Sequence, residues 1–351
     1  MIRTATMLML LWCPALLRGQ TLTDEEAKDG FLSLFNGKDN SGWRFGPGSA
    51  DPEKMPANWK VEDGCIKVSG GGSPHCASQW DFDDFDVRFE WRANKNQYNS
   101  GFYVRSGRAV GANQINLAHG GEGGIVGGKV TGAKTVPGLQ KKFGEWNAWR
   151  VLAVGDKITF WCNGELAWEG SDFKPARGYL GFQAEGAPID FRNIRIKELG
   201  FEPLWSADKW AETKGWRWDG DRVVCQKRHV PLRMKPRDRK NYVLRTEWKA
   251  PAEGGIEIWL SGKNGDNVVA LGKSRNGSGG VNGSNPLRKM DNPVGQWNYV
   301  EVRVKDGKAT VWLNGTVVTD NVALKTAEAG PFEIVGDEGA ELRGLRIREI
   351  K

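Results

Sequence analysis

A chain of 351 residues with 39% hydrophobic and 26% charged residues can bury a large core, which excludes a disordered or fibrous protein, and its length suggests two domains. With 47 glycines and 17 tryptophans against 5 tyrosines, the composition favours an all-β protein with glycine-rich turns. The formal net charge is +7; residues 200–351 carry 26 basic and 20 acidic residues and residues 20–199 carry 22 and 23, so the basic excess belongs to the second half.

The N-terminus reads Met1-Ile2-Arg3, then an apolar run from Met7 to Leu17, then Arg18. Its 11 residues suit the core of a signal peptide and are too few to span a bilayer. We therefore expect residues 1–20 to be a signal peptide, the protein to be exported to the periplasm or beyond the cell, and no transmembrane segment. Cys13 leaves with the signal. Cys65, Cys76, Cys162 and Cys225 remain; a Cys65–Cys76 bridge and free buried thiols are both open, and no CxxC pair suggests zinc. A helix is expected only at Asp24–Asp29.

Five segments recur in order, which marks a domain duplication. Phe31–Asp39 is echoed by Phe201–Lys209, and Phe85–Trp91 by Tyr242–Trp248. Gly144–Asn147 returns as Gly295–Asn298, Phe160–Gly164 as Val311–Gly315, and Phe191–Glu198 as Leu342–Glu349. The offset is 157 in the second pair and 151 in the last three. The boundary falls at Leu199-Gly200, giving a first domain over 21–199 and a second over 200–351. In 85–91, Phe85, Val87, Phe89 and Trp91 alternate with Asp86, Arg88 and Glu90, the period of a half-buried antiparallel strand. Asn163-Gly164 and Asn314-Gly315 are set as type I′ hairpin turns. The apolar phase flips inside Ile189–Ile196 and again inside Leu342–Ile347, which predicts a β-bulge in each copy. Each half reads as a two-sheet jelly roll.

Phe31–Trp43, Trp59–Gly64, Phe85–Trp91, Asn99–Arg105, Gly144–Trp149, Trp161–Gly164 and Phe191–Leu199 together resemble the 3-keto-disaccharide hydrolase domain family. The resemblance runs through residues 31–199, and 201–351 matches as a diverged second copy. It implies two tandem concanavalin-like or laminin-G-like jelly-roll β-sandwiches. It also implies an exported hydrolase of 3-keto-glycosides, working by elimination and hydration through the first domain. The alternative is a noncatalytic carbohydrate-binding protein of the cell envelope. A 3-ketone acidifies the hydrogen at carbon 2; its removal gives an enolate, the oxygen at carbon 1 leaves, and water re-adds. This needs a base with a pKa near working pH and donors or a cation at the enolate oxygen. No cofactor is specified by the residues, although a divalent metal could serve there as a Lewis acid.

The candidates follow from alternation. Phe102 and Val104 should face the core, and Gly101, Tyr103 and Arg105 outward, with Gly101 leaving room above the sheet. Ile115 and Leu117 should point in, and Gln114 and Asn116 out. Neighbouring strands would then present one polar, aromatic-containing face, suited to sugar; the plain alternative is a solvated sheet face. His119 ends the second of these strands, before the loop Gly120-Gly121-Glu122-Gly123-Gly124. Glu185 sits in a turn where the family often has a histidine or glutamate. We expect His119, Glu185 and Arg105 to be catalytic and Tyr103, Gln114, Asn116 and Trp259 to bind substrate, with no metal ligands assigned. His75 lies in a glycine-rich loop and carries less weight, and His229 less still. Ala112-Asn113 stand where the family tends to carry an acid, a departure that favours the binding-module alternative. Asp81, Asp83, Asp84 and Asp86 read as a solvated acidic turn. Lys227–Lys240 is basic, but Pro231 and Pro236 preclude a recognition helix, so the expected partner is carbohydrate and not nucleic acid. In the second copy, Gly255–Trp259 replaces Gly101–Arg105 and Asn267–Leu271 replaces Gln114–His119, placing Leu271 at His119. A copy that loses its polar face should be noncatalytic, packing on the first domain or holding glycan with an exposed Trp259.

Overall fold

Strict alternation makes each long strand two-faced, and pairing such strands forces two sheets to close over their apolar sides. The computed structural model describes residues 22–46, 55–204, 209–219, 222–235, 239–260, 266–326 and 332–350; the expected signal peptide lies outside them. The first half is a β-sandwich. Its larger sheet runs Glu165–Gly170, Lys157–Cys162, Asn147–Val154, Phe85–Ala93, Ile189–Glu198, Cys65–Val68 and Trp59–Glu62, with Leu32–Ser33 added against Ile189–Glu198. The smaller runs Trp43–Phe45, Cys76–Phe82, Gly178–Phe182, Gly101–Ser106, Gln114–Asn116 and Ile125–Val126. The second half repeats both orders. Its larger sheet runs from Trp216–Asp219 through Arg222–Cys225, Glu341–Glu349, Tyr242–Lys249, Asn298–Lys305 and Lys308–Leu313 to Thr316–Ala323. Its smaller sheet runs Trp210–Glu212, Val230–Met234, Glu333–Gly336, Ile256–Trp259, Val268–Leu271 and Gly280–Val281. The protein is thus two tandem all-β jelly-roll sandwiches.

Local signals read from the sequence recur in the structure. Asn163-Gly164 and Asn314-Gly315 both take positive φ at each central residue, as type I′ turns require. The expected bulges fall between Arg192 and Arg195 and, in the second copy, between Arg343 and Arg346; Asn193 and Gly344 carry the positive φ. The helix Asp24–Lys28 opens with a capping box between Thr23 and Glu26. All four described cysteines are free and buried, so the Cys65–Cys76 bridge is absent.

The cores differ in kind. Phe89 packs among Phe102, Phe182, Trp149 and Phe191 in the first. At the matching places the second core has Ile258, Ile334, Val300 and Leu342, and its own aromatics, Trp210, Trp216 and Trp248 among them, lie elsewhere in it.

The sandwiches are joined by a buried ionic network. Arg245 is fully buried and meets Glu198 of the first domain and Glu301 of its own. Arg346 also reaches Glu198. Arg177 of the first domain spans Glu301 at 2.6 Å and Asp81 at 2.7 Å, and Arg348 pairs with Asp83. Trp80 stacks on Tyr299 across the interface with ring centroids 4.4 Å apart. The acidic stretch Asp81–Asp86 is therefore not a solvated turn. Asp81 and Asp83 bind the interface, Asp84 binds Arg105, and Asp86 is buried against Arg88 and Arg150. Arginines drawn from distant strands consume every carboxylate.

Burial alone would raise the Glu301 carboxyl, but Arg245 and Arg177 hold it down, to about 2 from 4.5. A depressed carboxylate gives stability that is full above its unfolded value and is lost as pH falls toward the folded one. We expect Glu301→Gln to lower stability at pH 7 by about 3–5 kcal/mol, because it leaves two buried guanidinium groups undercompensated. Urea unfolding at pH 7 and at pH 3 checks this. The gap between variant and wild type should shrink at the lower pH, as the wild-type protein loses the same contribution.

Candidate active site

The register of the first six-stranded sheet aligns four strands at one end. Cys76 pairs with Phe182, Phe182 with Phe102, and Phe102 with Ile115. The residues just beyond these pairs form one rim: His75, Gln183-Ala184-Glu185, Asn99-Ser100 and Leu117-Ala118-His119. Backbone bonds hold the rim together, from Gln183 N to Gly101 O at 2.9 Å, Ser100 N to Leu117 O at 3.1 Å and His119 N to Tyr98 O at 3.0 Å. Ser100 Oγ donates to Gln183 O at 2.7 Å.

His75 is the best-defined group on this rim. The Ala184 N–H donates to its Nδ1 at 3.2 Å, and its ring lies 5.3 Å from that of Tyr103. An Nδ1 that accepts carries no proton, so the neutral ring bears its hydrogen on Nε2. Burial lowers the His75 pKa from 6.5, and the charge of Glu185 only partly opposes it. The Tyr103 hydroxyl is pushed up to about 12, by burial first and by Glu185 second. One carboxylate thus acts on both groups. The cluster combines an anion, a neutral imidazole with a free-to-donate nitrogen, and a phenol that keeps its proton.

The expected polar face is not an open one. Tyr103 and Gln114 are buried. The Gln114 side chain lies over Gly101, where an added Cβ would stand 1.6 Å from its Nε2, and it donates to Ser100 O and to Gln183. The space above Gly101 is therefore filled by the protein itself. Asn116 is half-buried and donates to Gly121 O at 3.1 Å, tying down the glycine-rich loop. Within that loop Glu122 is buried and accepts from the Tyr98 hydroxyl. His119 is exposed on the rim, edge-on to Tyr98. It sits three strands from His75, about 14 Å at the usual strand spacing, so the two cannot exchange a proton directly.

Arg105 is a correction. It has φ 45 at a register shift between its strand and Gly178–Phe182, and the bulge turns it out of the alternation. Its guanidinium is fully buried at the opposite end of the sheet, donating to Asp83 O, Gly155 O and Asp84. It is a structural clamp that does not reach the rim. Trp259 is half-buried rather than exposed, and its Nε1 donates to Glu257 at 2.9 Å. The second-copy alignment also shifts: Leu260 N donates to Asn267 O as Val104 N donates to Asn113 O, and Gly279 N to Ala270 O as Gly123 N to Asn116 O, so Leu271 matches Leu117, and Lys273 stands at His119.

Sequence reasoning set His75 too low. The repeat carries no signal for it: Trp216 Nε1 donates to Val230 O as Trp59 Nε1 donates to Pro74 O, so Pro231 stands where His75 does. Among the described residues, no three His, Cys, Asp or Glu side chains converge to hold a metal ion.

A family profile, the 3-keto-alpha-glucoside-1,2-lyase-like domain, matches residues 30–197 and again 202–351. The chain belongs to this family. A 3-keto-disaccharide hydrolase of Bacteroides thetaiotaomicron is 26% identical over 233 residues, with 49% of this chain and 79% of the relative covered. Among solved structures, a "putative glycosyl hydrolase" from Parabacteroides distasonis is 24% identical at a TM-score of 0.40, covering 52% of this chain and all of its own. The carbohydrate-binding module CBM66 from Bacillus subtilis is 14% identical at a TM-score of 0.35, covering 44% of this chain and 95% of its own. By its family and the Bacteroides relative the chain is a glycoside-hydrolase-like, carbohydrate-active protein. Among its described residues no helix is long and apolar enough to cross a membrane.

Arg105→Ala is expected to destabilise the first sandwich by about 2–4 kcal/mol, since it leaves buried carbonyls without donors. Urea unfolding checks it. Loss of turnover at an unchanged unfolding midpoint would instead place Arg105 in the chemistry.

Proposed function

We propose that the protein is an exported enzyme that cleaves 3-keto-glycosides at the rim of the first sandwich, by elimination followed by hydration. The observation that carries this is the His75 Nδ1 bond to Ala184 N–H. It fixes a neutral imidazole that donates from Nε2, in the company of the Glu185 carboxylate. Glu185 serves as the base that takes the proton from carbon 2. His75 Nε2–H donates to the oxygen at carbon 3 as the C–H electron pair moves into the enolate, the role of a preorganised donor at developing charge. The electron pair then expels the oxygen at carbon 1, which must gain a proton as it leaves. Tyr103, held protonated beside Glu185, supplies a donor hydroxyl. Water adds later at carbon 1 while carbon 2 regains its proton, so the net reaction is hydrolysis. His119, across the rim, is placed to contact the leaving portion of the substrate. The residues 1–20 support export, and sequencing the N-terminus of the mature protein tests it.

A binding module without catalysis is the second reading. It is favoured by Ala112-Asn113 where the family tends to carry an acid, and by Gln114 filling the space over Gly101. Incubation with a 3-keto-disaccharide separates the two. Release of 3-ketoglucose above the blank rate is expected from the wild type. Glu185→Gln should lower kcat by about 10²–10⁴-fold, the usual worth of a positioned base, with little change in thermal midpoint. Binding without any turnover would establish the module.

The pH profile is a separate check. Because burial depresses the His75 pKa below 6.5, the ring stays neutral at pH 7 and gains a proton only as pH falls through that lowered value. An imidazolium cannot accept from Ala184 N–H, so kcat/KM should fall on the acid side with an inflection below 6.5. That inflection should vanish in His75→Gln. A wild-type profile flat from pH 7 to 5 would remove His75 from the mechanism.

A further inference from the structure

We propose that the second sandwich carries its own binding cleft for a neutral sugar unit, at the sheet end equivalent to the first domain's rim. This goes beyond the reaction assigned to the first domain. A cavity of about 640 Å³, within the range of small-ligand sites, is lined by Arg228, His229, Ala252, Gly254, Gly272, Lys273 and Asp337.

The register shows how the cleft arose. Trp216 Nε1 donates to Val230 O as Trp59 Nε1 donates to Pro74 O, and Trp210 pairs with Met234 as Trp43 pairs with Ser78, so Pro231 matches His75, Ile334 matches Phe182 and Asp337 matches Glu185. Gly279 N donates to Ala270 O as Gly123 N donates to Asn116 O, and Glu257 pairs with Ala270 as Gly101 pairs with Asn116. Gln114 and Asn116, the two amides that lie across the first domain's face, are thus replaced by Val268 and Ala270, and His119 by Lys273 at the cleft.

What lines the opening has both signs. Asp337 accepts from Gly255 N at 2.9 Å and from His229 N at 3.3 Å, and these bonds with Lys273 hold it ionised despite burial. Lys273 bridges Glu257 at 3.0 Å and Asp337 at 3.6 Å. Arg228 and His229 are exposed at the mouth. Trp259 lies on the same strand face as Glu257 and leans onto it through Nε1. Donors and acceptors in near balance suit hydroxyl groups, each of which donates and accepts. An anionic ligand would meet Asp337, and a cationic one Lys273 and Arg228. An indole on the same face offers an apolar platform with a polar edge, as sugar rings require. Asp337 stands where Glu185 does, but the imidazole donor of the first site has no counterpart, since Pro231 stands where His75 does. The cleft therefore binds and does not cleave.

The test is calorimetric titration of the full chain with neutral glucose-, galactose- and mannose-based disaccharides and with a galacturonic acid disaccharide, none of them oxidised at carbon 3. We expect a neutral disaccharide to bind, with affinity lowered at least tenfold by Ala252→Trp, which fills the cleft from an exposed loop position, and at least threefold by Arg228→Ala. Both variants should keep the wild-type unfolding midpoint and any 3-keto-disaccharide turnover. Absence of binding across the neutral panel, tighter binding of the uronate, or an affinity unmoved by Ala252→Trp would each overturn the proposal. Failure of the first domain to turn over a 3-keto-glycoside would not alter any of these readings.

Discussion

Arg245 is the constraint on which the arrangement of the two sandwiches rests. It is fully buried and its charge must be met in place, by Glu198 from the first domain and Glu301 from the second. Desolvating such a set offsets much of its Coulomb attraction, so its net contribution to stability is modest. Its geometric demand is not modest. A guanidinium presents donors in a fixed fork, and rotating or sliding one sandwich against the other would leave charges unpaired in a dry interface. The stack of Trp80 on Tyr299 adds apolar area beside it but tolerates small slips. Register is thus set by charge, and contact area by the aromatics.

The same arginines exist in the first copy, which explains why the network has this form. Arg88 lies over Phe31 as Arg245 lies over Phe201. In the first domain Glu26 of the N-terminal helix meets both Arg88 and Arg195, and Asp29 meets Lys197. In the second, Glu198 meets Arg245 and Arg346, and Asp83 meets Arg348. Each larger sheet therefore presents an equivalent cationic face to whatever packs on it. A short capped helix covers the first, and the first domain itself covers the second. Duplication created a second cationic face, and acids at the end of the first sandwich, Glu198 and Asp83, complete it.

What could be read from the sequence was what repeats locally. Period-two alternation in Phe85–Trp91, the two Asn-Gly turns and the phase flips all obey short-range stereochemistry, and they gave the strands, hairpins and bulges. Arg105 shows where that reasoning stops. Its direction was inferred from alternation, but a residue in the left-handed region at a bulge no longer obeys it. The acidic stretch failed for a different reason: its arginine partners come from positions as far off as Arg177 and Arg348. No local pattern announces them. His75 was undervalued because a histidine in a glycine-rich loop looks unremarkable until the sheet aligns it with Glu185 and Tyr103. Glu185, Tyr103 and Gln114 do come together, although Gln114 supports the rim from beneath rather than facing solvent.

The two copies have solved one packing problem in opposite ways. The first fills its core with Phe89, Phe102, Phe182 and Trp149 and covers its smaller sheet with its own Tyr103 and Gln114, leaving function only at the strand ends. The second has aliphatic residues at those places and carries Val268 and Ala270 where Gln114 and Asn116 lie on the equivalent face. Charged groups now ring the equivalent strand ends: Asp337 at the place of Glu185, Lys273 at that of His119 and Glu257 at that of Gly101. A buried phenol and amide can be satisfied by neighbours within the fold, whereas paired charges at a cleft mouth keep acceptors and donors available to a ligand. The chemistry proposed for the first rim depends on an imidazole that burial keeps neutral. The recognition proposed for the second depends on an open, polar cavity. One sheet end would not meet both demands at once, and duplication gives each its own sandwich.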